Sequence, residues 1–355
     1  MLTEESKARY KRFWNREDTD RCVLYIVAPK EVKNAQFNYM QPKNLYDKWT
    51  NKELIHNNML YWAEHTQYVG DGFESLFVNT GPGCLAACIS DTFELADDTV
   101  WFDTVQYILD WDKCPDLKLN RESEMFKLVK SITEYSLSHS DKRYYTSISD
   151  IGGNFDVLAS LRGTSNLLYD MFDYPEKIKK ASEVIDKLWL NFYNDNIEDM
   201  EKYQDGYTSW MPIWNDKKWA PLQCDYSAMI SPEMFGEFIL PSLKRQTTYL
   251  ENSVYHLDGP GEVPHLDHLL SIDELNAIQW TPGSGNADVG NEIWFPMYKK
   301  IQDSGKGLIL LGAQPSDIKN ILSNISSKGL YISCWCGSIK EAEALVKTAE
   351  ELAKN

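Results

Sequence analysis

Short runs of apolar, β-prone residues recur along the chain, and each closes on a polar or Gly/Pro cluster before a segment of helical period begins. Eight such runs stand at residues 23–28, 75–79, 145–150, 207–214, 253–258, 276–281, 308–312 and 330–334. Amphipathic stretches at 52–68, 123–138, 165–203, 231–250, 315–326 and 339–354 separate them and read as helices. The helix starting at Ser231 has a well-marked opening, with Ser231 as N-cap, Pro232 in the first turn and Glu233 complementing the dipole. This alternation is that of a parallel α/β protein, and eight is a strand number on which a barrel closes. A doubly wound open sheet would give the same pattern. Polar residues follow nearly every strand instead of clustering at one crossover, which favours a single-domain (β/α)8 TIM barrel. The expected organisation is a helical extension over residues 1–20 and the barrel over 21–355.

Composition narrows the picture. A chain of 355 residues without repeats can bury one large core, and its apolar runs are too short to cross a bilayer, so a soluble protein is expected. The first twenty residues are too charged for a secretory signal, and cytoplasmic residence follows as an expectation. Seven scattered cysteines argue for free thiols over a disulfide framework. A formal charge of -17 opposes phosphate backbones and anionic lipid, so neither nucleic acid nor membrane is an expected partner. The chain has no P-loop, no G-x-G-x-x-G after a strand and no G-x-S-x-G elbow, which counts against nucleotide hydrolysis, Rossmann-type NAD chemistry and serine hydrolysis.

Candidate chemistry gathers at strand ends. His256 and Asp258 stand at i and i+2 and therefore point to one side of their strand, and Cys334 and Cys336 repeat that spacing on the last strand. Imidazole, carboxylate and thiolate brought together from different strands can bind Zn²⁺ and leave a position open for substrate. The plainer alternative is a hydrogen-bonded His256–Asp258 pair with cysteines that only pack. Asp150, Asp225, Gln279 with Trp280, and Gln314 also end strands, where barrel chemistry sits, although each could instead cap a turn. Asp258, Asp225 and Asp150 are the candidate catalytic acids, and Trp210, Trp214, Gln279, Trp280 and Gln314 the candidate substrate contacts. His265-Leu266-Asp267-His268 resembles a second ligand set, or else an exposed helical face.

The segment Ile230-Ser231-Pro232-Glu233-Met234-Phe235 with Phe238 and Pro241, followed by His256-x-Asp258-Gly259, resembles the uroporphyrinogen decarboxylase superfamily. That superfamily includes cobamide-dependent methyltransferases, and its TIM-barrel fold resembles cobalamin-independent methionine synthase. The likeness runs from about Arg21 to the C-terminus, through Asp150-Ile151-Gly152-Gly153 and Leu161-Arg162-Gly163 to Cys336-Gly337. In the methyltransferase branch, an H-x-C pattern on the fifth strand and a Cys-Gly ending the eighth bind zinc, which activates a substrate thiol. Here His256 and Cys336 match, and Asp258 stands where a cysteine is expected; Cys334 is a further ligand candidate. The decarboxylase branch is the poorer match. Its paired arginines have no counterpart in Ala28-Pro29-Lys30-Glu31-Val32-Lys33, its aspartate is missing from Asn79-Thr80-Gly81-Pro82-Gly83, and Cys336 stands where it has a histidine.

The resemblance implies a methyltransferase-like enzyme with a divalent metal, zinc foremost, on His256, Asp258 and Cys336. It also implies a corrinoid, free or carried by a partner protein, and a homodimer. Two other readings are a metal-independent lyase or hydrolase using Asp258 and Asp225 as acid and base, and a ligand-binding barrel without catalysis.

Overall fold

A computed structural model describes residues 1–103 and 105–353. Lys354, the expected end of the last helix, lies outside the described residues. In chain order the strands are β1 (Val23–Pro29), β2 (Thr66–Gly70), β3 (Ser75–Leu76), β4 (Glu94–Leu95), β5 (Val100–Trp101), β6 (Tyr145–Thr146), β7 (Trp219–Gln223), β8 (Asn252–Asp258), β9 (Ala277–Thr281), β10 (Gly307–Ala313) and β11 (Leu330–Trp335). Seven form one sheet in the order β2-β1-β11-β10-β9-β8-β7, parallel throughout except for the β1–β2 pair. β3 pairs with β6 in parallel, and β4 with β5 in a small antiparallel ribbon. The result is a mixed α/β domain around a mainly parallel sheet. Its central strands are nearly continuous apolar runs, as expected where helices cover a parallel sheet.

Backbone bonds extend the path beyond the seven-stranded sheet. Asp71 N–H donates to Leu24 C=O (2.7 Å), Tyr145 to Glu74 (3.0 Å), Ser147 to Leu76 (2.9 Å) and Ile148 to Thr208 (3.1 Å). The first continues the β1–β2 pairing past Gly70 and the others tie β3 to β6 and the residues after β6 to the 207–215 segment, but no strand ladder closes a ring among the described residues. The helix Glu4–Asn15, capped by Thr3, lies across the beginnings of the strands. Its Trp14 ring packs on Trp219 at the start of β7 (5.3 Å), and its Phe13 ring reaches Tyr331 on β11 (6.3 Å). Phe13 and Trp14 are adjacent yet reach β11 and β7, which lie four strand spacings apart, about 19 Å in a flat sheet, so the sheet between them is curled.

Several expected boundaries move. The fourth expected strand, 207–214, is an irregular segment held by a Tyr207–Asn215 bridge, and the strand is Trp219–Gln223. Pro221 obscures that strand in the sequence; it is tolerated because β7 is the sheet's edge and one of its sides needs no N–H donor. The helix expected over 52–68 stops at Glu64, and its last residues form β2. The 165–203 stretch divides into Thr164–Asp173, Pro175–Ile197 and a short 3-10 turn. The 231–250 helix opens on Ser231 as expected, with Ser231 Oγ accepting from Met234 N–H, and then widens into a π turn at Phe235–Ile239 ahead of Pro241, which has no N–H to give. Residues 315–326 yield a helix only over Ile318–Asn324. Among the described residues no helix is long and apolar enough to cross a membrane.

Candidate active site at the strand ends

The site begins with three strands in register. His256 on β8 lies opposite Gln223 on β7 and Gln279 on β9, and Asp258 lies opposite Thr281. Gln279 Nε2 donates to Thr281 Oγ1 (2.8 Å), which turns its Oε1 toward His256 Nδ1. With the proton held on Nδ1 by that bond, Nε2 is left as the ring's lone-pair donor. The Trp210 ring stands edge-on to the imidazole, with centroids 5.0 Å apart and planes at 85°.

Beyond β8, Gly259 takes φ +79°, a left-handed turn that favours glycine, and the chain folds back so that buried Glu262 accepts from Asp258 N–H through Oε2 (3.2 Å). Asp225 stands two residues past the last residue of β7 and opens a 3-10 turn. The Asp156 carboxylate anchors that turn, accepting from Asp225 N–H (3.2 Å) and Tyr226 N–H (2.9 Å). Asp156 sits in the first turn of the helix Asn154–Arg162, brought in by Gly152 and Gly153. A Cβ on Gly153 would run into the Gln223 carbonyl oxygen, and one on Gly152 would lie 2.6 Å from Gly83 Cα, so this approach requires bare backbone.

Ligand atoms of Asp225, His256 and Asp258 all lie within 4.8 Å of one another. Asp225 is exposed and the other two are half-buried. Partial desolvation raises the Asp225 carboxyl, His256 opposes the rise and Asp258 adds to it. Burial, reinforced by Asp225, also holds the Asp156 carboxyl above its ordinary range. Glu262 is pushed up to about 9, chiefly by burial, and its Oε1 has no hydrogen-bond partner among the described residues. Asp156 and Asp225 together line a cleft of about 350 Å³.

The sulfurs expected at this centre are not among its clustered ligand atoms. Cys334 and Cys336 Sγ are 4.0 Å apart, and neither belongs to the three-residue cluster, where Asp225 takes the place expected for Cys336. Burial pushes the Cys334 thiol up to about 12 and raises that of Cys336, which lines a separate aromatic cavity. Asp150 is half-buried and accepts from Gly152 N–H (2.9 Å), shaping the glycine loop. Trp280 alternates with Gln279 along β9 and so turns away from His256 into the core, against Trp294 (4.9 Å). Trp214 is buried against Tyr10 (6.2 Å). Gln314 is exposed, and its carbonyl accepts from Asp317 N–H (3.0 Å). His265 and His268 form no second ligand set: both stack on Phe235, and His265 Nε2 bonds the Ser227 carbonyl oxygen (2.9 Å).

Asp156 and Glu262 join the site without having been singled out in the sequence. Each lies a few residues past a strand-end motif, Asp156 after Gly152-Gly153 and Glu262 after Gly259-Pro260-Gly261, and that proximity was the available signal.

No protein-family model matches the sequence, and no curated protein matches it. A solved structure described as a methyltransferase from Methanosarcina mazei superposes with a TM-score of 0.64 at 12% identity, covering 98% of each chain. At that identity the likeness establishes a shared fold.

Proposed function

We propose that the chain is a methyltransferase-type enzyme, a divergent member of the uroporphyrinogen decarboxylase superfamily, with a divalent metal held by Asp225, His256 and Asp258. The observation that carries this reading is the meeting of those three donors within 4.8 Å. End-to-end fold likeness to a methyltransferase supports it, as does the His256-x-Asp258-Gly259 pattern. The donor set suits a divalent ion, with two carboxylates, one imidazole lone pair and room for substrate. Gln279 gives His256 the outer hydrogen bond that metal-bound imidazoles usually make. Zinc is the first choice. We also propose that the curled sheet, completed by the β3–β6 pair, forms a barrel whose rim carries these residues, and that a corrinoid, free or on a partner protein, takes part in methyl transfer.

A bound divalent ion would supply Lewis-acid polarisation of the substrate. The chain's own residues position and shield. Gln279 and Trp210 hold the imidazole plane, Asp156 anchors the turn bearing Asp225, and the neutral Glu262 carboxyl steadies the Asp258 backbone from beneath.

Elemental analysis of the purified protein tests the metal. About one zinc per chain is expected, lost in His256→Ala and in Asp225→Asn and retained in Cys336→Ser. Protein that carries no metal, or that loses it only in Cys336→Ser, would remove the ligand assignment. The raised carboxyls of Asp156, Asp225 and Glu262 favour one second reading, metal-independent acid–base catalysis on a small polar molecule, to which metal-free protein would point.

A further inference from the structure

Cys336 shares its cavity with an unusual concentration of rings. The space measures about 910 Å³ at the ends of β1, β10 and β11, and Tyr25, Trp62, His65, Tyr68 and Trp335 contribute to its walls. Trp335 is 78% exposed and Trp62 59% exposed, which is costly for indoles in a monomer without a ligand to meet. Tyr25 and Tyr68 stand 6.1 Å apart at 75°, so they form two walls of a corner and not the parallel faces that would sandwich a flat ring. No lysine or arginine lines the cavity among the described residues, so an anionic ligand would find no counter-charge there. Burial first, with the Glu74 carboxylate also contributing, keeps the phenols of Tyr25 and Tyr68 protonated well above neutral pH.

The cavity adjoins the acidic centre. Pro212 lines it, and Trp210, two residues earlier, stands against His256, so the two places are joined by a stretch of backbone at most about 7 Å long. Electron-rich ring faces set at an angle, with no lysine or arginine among the described lining residues, favour a compact positive charge with an apolar surface.

We propose that this cavity binds the methylated onium head, a quaternary ammonium or sulfonium, of a small organic molecule, with the remaining volume taking its tail. As the substrate class of the proposed methyltransferase the inference rests on that reading, but the binding itself can be measured without it.

Choline titrated into the full-length protein, followed by tryptophan fluorescence and calorimetry, is the test, with 3,3-dimethylbutan-1-ol as its uncharged isostere. Choline is expected to bind about tenfold more tightly than the isostere. Trp335→Ala and Tyr68→Leu should each weaken choline several-fold, Tyr68→Phe should retain binding, and His256→Ala, which strips the proposed metal, should leave binding intact. Equal affinity for the two probes, absence of choline binding, or indifference to both ring deletions would overturn the proposal. Because metal content is read on separate samples, failure here and failure of the metal assignment are distinguishable.

Discussion

Burial lifts the Asp150 carboxyl to about 7 even though Gly152 N–H stabilises its anion, and the nearby Asp225 charge adds to the rise. A carboxyl raised in the folded state keeps its proton where the unfolded chain has already lost it. Its contribution to stability is therefore fullest below about pH 4 and falls away as pH climbs to about 7. Asp150→Asn, which keeps an acceptor for Gly152, should remove that slope and leave the variant about 1–3 kcal/mol more stable than wild type at pH 8, with little difference at pH 4. Thermal melts at the two pH values decide it, and an unchanged slope would show that another group is responsible. At this scale the sequence was informative wherever strand geometry governs a side chain. His256, Asp258 and Asp225 could be read as strand-end groups, and the alternation that pairs Gln279 with His256 also sends Trp280 to the other face. Asp156 and Glu262 could not be read that way, because their positions depend on where a loop returns after the strand has ended.

The first helix is fastened by charge as well as by rings. Asp71 has no exposed surface, and Arg9 Nη1 and Arg21 Nη1 each reach it at 2.5 Å while Leu24 N–H donates to it at 3.0 Å. Removing the anion would strand two buried guanidinium groups, so Asp71→Ala should cost about 3–5 kcal/mol. Urea denaturation measures this, and a loss under about 1 kcal/mol would mean that water reaches the arginines. Elements with a clean apolar period were foreseen close to their bounds, as in β8 to β11 and the helix capped by Ser338. The misses have local causes. Pro221 disguised an edge strand, the apolar 207–214 segment looked like a strand but carries Pro212 through its middle, and β2 continued an amphipathic pattern that gave no sign of the turn at His65.

Across the whole molecule, the alternation of strand and helix was enough to anticipate a parallel α/β core, whereas sheet closure depends on long-range pairing that no local pattern encodes. The opening helix covers Trp214, Trp219 and Tyr331 from below. A chain lacking residues 1–20 should expose them, bind a hydrophobic dye and lose near-ultraviolet dichroism while keeping much of its far-ultraviolet signal; native-like spectra would show the helix to be dispensable. On the opposite side, Gly152 and Gly83 meet backbone to backbone, with no side chain between them to flex. Two loops in such contact behave like meshed gears: a push on either is handed to the other and, through the Gly153–Gln223 contact, to the turn that carries Asp225. A ligand lodged beside one loop is therefore expected to shift the turn that bears the carboxylate without touching it.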